Sequence, residues 1–413
     1  MRNRKTGFIL VEALIVVACL VALMAMLAAN QHSSMRETQD RLRQKRAESA
    51  ARSAVAYVFS TLTSATPNSV TLNDNWAQLG GNGNQSFELG DLTFRVQIID
   101  ANSRLNVNVA TAPQLQSLLV DQTMVDSLLD WRETSTRPRA NGAKDEYYTG
   151  LETPYLAKLA SLTTLEELLL IKGWTAQKLF TVQTDVIQSA ITQTDTNNRQ
   201  LPLIDYLTVD GGAPNTRANG STKINLGVRG VTLNQIVQLG LTQAQATQVF
   251  NRIPFNSFQQ LLGVPGLTPI AQQRLLDAVT FTAGNRVTGK INLNTAPSWV
   301  LQTIPNMTLD IANTIVTQQS TGFTGLSQLA TLNGVSPTTL PRIADSFVVG
   351  SDTWIVRAYG KSGEIGTAIE ATVVLTNGKL QIQKWDRLNT IGIPAWWNWE
   401  EEPTSTTAVG TGQ

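Results

Sequence analysis

The 413-residue chain has room for two or three domains at roughly 150 residues each. Its net charge of +1 exerts no global pull on nucleic acid, and a lone cysteine, Cys19, excludes an intrachain disulfide. One histidine, His32, leaves little material for a zinc site or a histidine-based catalytic set, and a charged content of 15% gives the polar, mostly uncharged surface that suits an exported protein.

The first element is the apolar run from Phe8 to Ala29, about 33 Å long as a helix and enough to cross a bilayer. Arg2, Arg4 and Lys5 precede it, which by the positive-inside rule puts the N-terminus in the cytoplasm. Within the run stands a carboxylate, Glu12; a charge in a spanning helix costs about 2.5–3.5 kcal/mol near the centre and less towards an end, so it requires a partner. A cleaved signal peptide is opposed by the helix-friendly sequence that continues through Arg36–Arg43 to about Leu62. A lipobox at Val16–Cys19 is opposed by Leu20–Met24, which stays apolar where such a signal turns polar.

The order of basic leader, Gly7, Phe8, apolar run and Glu12 resembles a type IV pilin-like leader. That resemblance implies cleavage by a prepilin peptidase between Gly7 and Phe8, N-methylation of Phe8, and an assembly role for Glu12. The Glu12 carboxylate of one subunit would then pair with the α-amino group of Phe8 on a neighbour, making two costly charges tolerable together and setting the axial register.

Beyond the run, Leu42, Ala47, Ala51, Val55 and Val58 recur at helical spacing, and Thr63–Asn68 ends the helix. Leu92, Phe94, Val96 and Ile98 alternate with polar residues as a strand does, after a loop at Gly80–Gly83. Three stretches then begin alike: RLNVNVATAPQLQSLL at Arg104, KINLGVRGVTLNQIVQL at Lys223 and KINLNTAPSWVLQTI at Lys290. Each leads to a pair of short helical patterns around a small loop, resembling helix-hairpin-helix units. Strand alternation returns at Trp354, Val356 and Ala358 and again through Ile369, Ala371 and Val373, with a hairpin turn at Asn377-Gly378. The expected class is α+β: a long N-terminal pilin-like helix on an antiparallel β-sheet, with a large inserted all-α domain of helix-hairpin-helix-like repeats. Its boundaries are a leader at 1–7, a transmembrane and stalk helix at 8–66, a β layer at 67–106 plus 346–390, the α insert at 107–345, and a partly disordered tail at 391–413, mobile beyond Glu402.

Helix-hairpin-helix units bind DNA phosphates through Gly-rich hairpins aided by Lys and Arg. The third repeat has Pro305-Asn306-Met307-Thr308 where such a hairpin would sit, and its charges Lys290, Asp310, Arg342 and Asp345 cancel. The repeats therefore read as packing units. The alternative to be tested is a minor pilin of a type IV pilus or DNA-uptake machine, with the α-domain as an adhesive or DNA-contacting module.

The phrases DANSRLNVN at Asp100, DW at Asp130 and NGAKDEYY at Asn141, added to the leader, resemble the minor pseudopilin K family of type II secretion systems. The resemblance implies a non-enzymatic subunit that helps initiate or cap a periplasmic pseudopilus. It would be anchored by one pass through the bacterial inner membrane, with I and J minor pseudopilins and the major pseudopilin as partners. Family members at the tip usually lack the glutamate that Glu12 supplies. The family also implies a calcium segment, here carried by Asp130, Glu133, Asp145 and Glu146. Lys144 stands where the family has an acid, and Arg132, Arg137 and Arg139 oppose a cation.

Overall fold

The computed structural model describes residues 6–191, 194, 199–388 and 392–409. One helix, α1 (Thr6–Leu62), runs for 57 residues. Its N-terminal half is bare: the window Val11–Ala28 has a mean hydropathy of 2.7 and none of it is buried. Its C-terminal half is a packing surface, with Ala47, Ala50, Ala51, Ala54, Val55, Val58 and Leu62 buried at the three- and four-residue spacing of one helix face.

That face lies on a six-stranded sheet made of β1 (Gln85–Leu89), β2 (Leu92–Asp100), β3 (Thr353–Ser362), β4 (Ile365–Thr376), β5 (Lys379–Leu388) and β6 (Ser405–Ala408), in the order β5-β4-β3-β2-β1-β6. Phe94, Val96 and Ile98 of β2 and Trp354, Val356 and Ala358 of β3 point at the helix and form one core with it. The small helix residues permit a very close approach. A Cβ on Gly360 would sit 2.2 Å from the Ala47 carbonyl oxygen and 2.4 Å from the Ala51 nitrogen. Gly360→Ala is therefore expected to force helix and sheet apart at a cost of about 3 kcal/mol. The measurement is chemical denaturation, where the midpoint should fall with an unchanged slope.

Between β2 and β3 the chain makes three similar units. Each opens with a two-residue strand and closes with a parallel partner: Leu105–Asn106 on Leu207–Thr208, Ile224–Asn225 on Val279–Thr280, and Ile291–Asn292 on Phe347–Val348. The asparagine of each opening strand turns the chain, its Oδ1 accepting from the N–H of Asn108 at 2.9 Å, Gly227 at 2.8 Å and Asn294 at 3.0 Å. A cation precedes each opening strand and an aspartate stands just before each closing one. Arg104 faces Asp205 at 3.4 Å, Lys223 is drawn to Asp277, and Lys290 Nζ donates to the Asp345 carbonyl. Each unit is thus a long loop fastened at its base by a short ladder and a pair of opposite charges.

The second and third units share one hydrophobic core, whereas the first has its own. Two of the base aspartates also bind reciprocally across the shared core. Asp277 Oδ1 accepts from the Ser327 N–H at 2.8 Å, and Asp345 Oδ2 from the Phe258 N–H at 2.9 Å.

Two expectations are corrected here. The insert is helical but not all-α, because its helices are too short to be stable alone and the strand ladders close each unit. The tail is not loose at Ser405–Ala408, which adds a parallel strand to β1 in an otherwise antiparallel sheet. Before it, Trp397 and Trp399 are buried. The Arg357 and Arg95 guanidiniums lie 5.7 Å and 5.2 Å from their ring centres.

Candidate functional site

Two regions hold the residues singled out from the sequence. The first is the exposed end of α1. Gly7, Phe8 and Glu12 fall on its opening turns. Met1–Lys5 and the side chains of Gly7 and Phe8 lie outside the described residues. Glu12 is exposed and is the one charged residue between Val11 and Ala28, surrounded by Val11, Leu14, Ile15 and Val16, each more than half exposed. Phe8 and Glu12 are four residues apart in the sequence. A helix so apolar and so uncovered can cross a membrane or pack against other apolar helices.

The second region follows the helix Gln122–Arg132. That helix buries Met124, Val125, Leu128 and Leu129, which brings Asp130, with no exposed surface, against the loop that comes next. The four acids expected to bind calcium do not converge. Asp130 accepts at Oδ1 from Arg139 Nη1 at 2.7 Å and at Oδ2 from the Arg139 N–H at 2.9 Å. Glu133 accepts from Arg139 Nη2 at 2.8 Å and 2.7 Å. Asp145 accepts instead from the Ala157 N–H at 2.8 Å, and Glu146 is exposed. Among the described residues no three His, Cys, Asp or Glu side chains come together as a metal requires.

Lys144 is the centre of this arrangement. It is only 6% exposed. Its Nζ donates to the Asp130 carbonyl and, at 2.9 Å, to the Glu133 carbonyl. Burial pulls its ammonium below the usual lysine range, and the charges of Asp130 and Glu133 oppose that. Behind it Trp131, Tyr148 and Tyr155 pack edge to face or stacked within 5.2–6.3 Å, and burial pushes the Tyr148 phenol up to about 12. A Cβ on Gly142 would lie 1.8 Å from Asp130 Oδ2, so the loop backbone closes directly on that carboxylate. Calcium takes 6–8 oxygens, and here the Asp130 and Glu133 carboxylates already accept hydrogen bonds from Arg139 and their carbonyls from Lys144. The residues present do not fit the ion.

Residues 87–184 match the family model of type II secretion system protein K, first domain. Over that stretch the chain is similar to the first domain of protein K. The Asp130–Tyr148 loop and the strand β2 fall within the matched stretch, which begins inside β1. Type II secretion system protein K of Klebsiella pneumoniae is 26% identical over 200 residues, a match that spans 43% of this chain and 60% of that protein. A crystal structure of the GspK-GspI-GspJ complex from the enterotoxigenic Escherichia coli type 2 secretion system matches at a TM-score of 0.46 and 14% identity, covering 86% of this chain and all of that one.

Sequence reasoning noticed the arginines and the lysine of the loop but not what they hold. It missed the base aspartates Asp205, Asp277 and Asp345 as a recurring feature, although the aligned ends LIDYLT, LLDAVT and RIADSFV carry it. It also missed Asp100, whose partners are distant in the chain.

Proposed function

We propose that this chain is a minor pseudopilin of a type II secretion system, a mechanical and not a catalytic subunit, that helps initiate or cap a periplasmic pseudopilus. One combination carries the reading. The stretch similar to protein K supplies β2 to a sheet on which a 57-residue helix packs, and the bare apolar end of that helix holds Glu12. The helix is long and apolar enough to be the anchor, crossing the inner membrane once with the N-terminus in the cytoplasm and the folded part in the periplasm. Prepilin peptidase would release Phe8, and the I and J minor pseudopilins and the major pseudopilin would be its neighbours in the assembly.

The test is the intact mass and N-terminal sequence of the protein taken from its host membrane. A chain that begins at a methylated Phe8 is expected. A chain that retains Met1–Gly7 would remove the amine assigned to Glu12, and this reading with it. Duplex DNA at low salt should not bind in a salt-sensitive manner, because the third unit's charges cancel; such binding would favour the DNA-uptake alternative.

A further inference from the structure

We propose that the Asp130–Tyr148 loop carries its own cation: the Lys144 ammonium, backed by the Arg139 guanidinium, stands where a divalent ion would have to stand, so that the loop is ordered without metal and takes none. The inference concerns this chain's own residues and does not depend on the assembly role.

The surroundings of Lys144 Nζ are those of a small hard cation. Two backbone carbonyls, Asp130 and Glu133, converge on it from consecutive turns at the end of one helix. Carbonyls at a helix C-terminus lack intrahelical donors and carry the negative end of the dipole, so they hold a positive charge well. The Asp130 carboxylate beside them is neutralised from the other side by a side-chain and a backbone N–H of Arg139. Glu133 takes both of its bonds from that same guanidinium.

The rest of the loop is fastened with protons too. Asn141 donates its N–H and its amide to Asp126 Oδ2 at 3.2 Å and 3.1 Å, and Lys172 Nζ donates to the Gly142 carbonyl at 3.2 Å. A divalent ion would have to displace Lys144, strip Arg139 from two carboxylates, and leave both cations close to a doubly charged centre. Removing one partner from such a buried charged network leaves the other uncompensated, which is strongly unfavourable.

The geometry makes Lys144 part of the helix ending as well. It is the residue before the short helix Asp145–Tyr148, so its backbone starts one helix while its side chain closes another. Ordering of residues 133–144 is thereby tied to one ammonium.

The experiment uses the full chain in detergent, read by limited proteolysis within residues 133–144 and by the thermal midpoint from tryptophan fluorescence. Both readouts are taken with EDTA and with millimolar calcium. The wild type is expected to show the same protection and the same midpoint in both conditions. Lys144→Met, which keeps the aliphatic stem and loses the charge, should raise loop cleavage about tenfold or more, the loss expected for hydrogen bonds to a charged group. Lys144→Arg should restore most of the protection, which separates a missing cation from a general folding defect. Lys144→Glu supplies an oxygen ligand where the ammonium was, and calcium should protect this variant more than it protects the wild type. The proposal is overturned if EDTA lowers the wild-type midpoint and calcium restores it, or if Lys144→Met is as well protected as the wild type.

Discussion

Asp100→Ala should cost about 4 kcal/mol or more, a large part of the 5–15 kcal/mol that holds a typical domain together. Asp100 ends β2 and is 1% exposed. Its Oδ1 accepts from the Asn102 N–H at 2.9 Å, and its Oδ2 from Asn292 Nδ2 at 2.8 Å and Thr295 Oγ1 at 2.6 Å. Asn292 Nδ2 is shared with the Val70 carbonyl at 3.1 Å, so a single carboxylate joins the sheet, the third unit and the segment after α1. Truncation leaves those donors facing an apolar void, each at the cost of an unpaired buried polar group.

The measurement is urea denaturation of wild type, Asp100→Ala and Asp100→Asn across pH. Burial pushes the Asp100 carboxyl above its ordinary value of 3.8, against the pull of its hydrogen-bond donors. The native state therefore binds a proton more tightly than the unfolded state at this residue. Its contribution to stability is full below 3.8 and is lost as pH rises through the higher native value. Asp100→Asn cannot titrate there. The stability of wild type minus Asp100→Asn should accordingly fall as pH climbs out of the acid range. A difference independent of pH would refute the assigned proton, and a stable Asp100→Ala would refute the joint.

The layers of this fold differed in how well they could be read from sequence, and the difference follows from distance along the chain. α1 and the strands β2, β3 and β4 are written in local periodicity, and Asn377-Gly378 marks its own hairpin. The unit bases were half legible. KIN, KIN and RLN stand out as openings, but their two-residue strands are far too short for alternation to reveal, and their partners lie a whole unit downstream. Ser405–Ala408 was hidden for another reason: a Thr- and Ser-rich segment reads as tail until an edge strand is available to receive it. Asp100 lies 192 residues from Asn292 and 195 from Thr295, so nothing near it in sequence hints at its bonds. In the loop, the basic residues were legible as a departure from a calcium pattern. That Lys144 replaces the ion and does not merely repel it required the positions of the Asp130 and Glu133 carbonyls.

Glu12→Val should leave the protein folded and in the membrane while reducing its incorporation into a pseudopilus, and with it secretion, by tenfold or more, the effect of about 1.4 kcal/mol or more per contact. Glu12 is exposed and has no role in the core; among the described residues α1 first buries its face at Ala47. Replacing it by valine lowers the cost of inserting the helix, by up to about 2.5–3.5 kcal/mol on insertion scales and less near an end. Membrane yield should therefore rise or stay level. A defect in assembly accompanied by normal yield can come only from a contact that the charge makes with another molecule. Glu12→Gln keeps the length and the hydrogen-bonding capacity but not the charge. It should fail nearly as badly if the partner is an ammonium, and only mildly if the partner is a neutral donor. Cross-linking through Cys19, seven residues on and exposed on the same bare stretch, would report the register of neighbouring helices in wild type and variant. Glu12→Val that assembles and secretes like wild type would leave this carboxylate with its membrane cost and no function. A subunit at the extreme tip, with no amine above it, would give that result, so the same variant also reads the position of the chain in the filament.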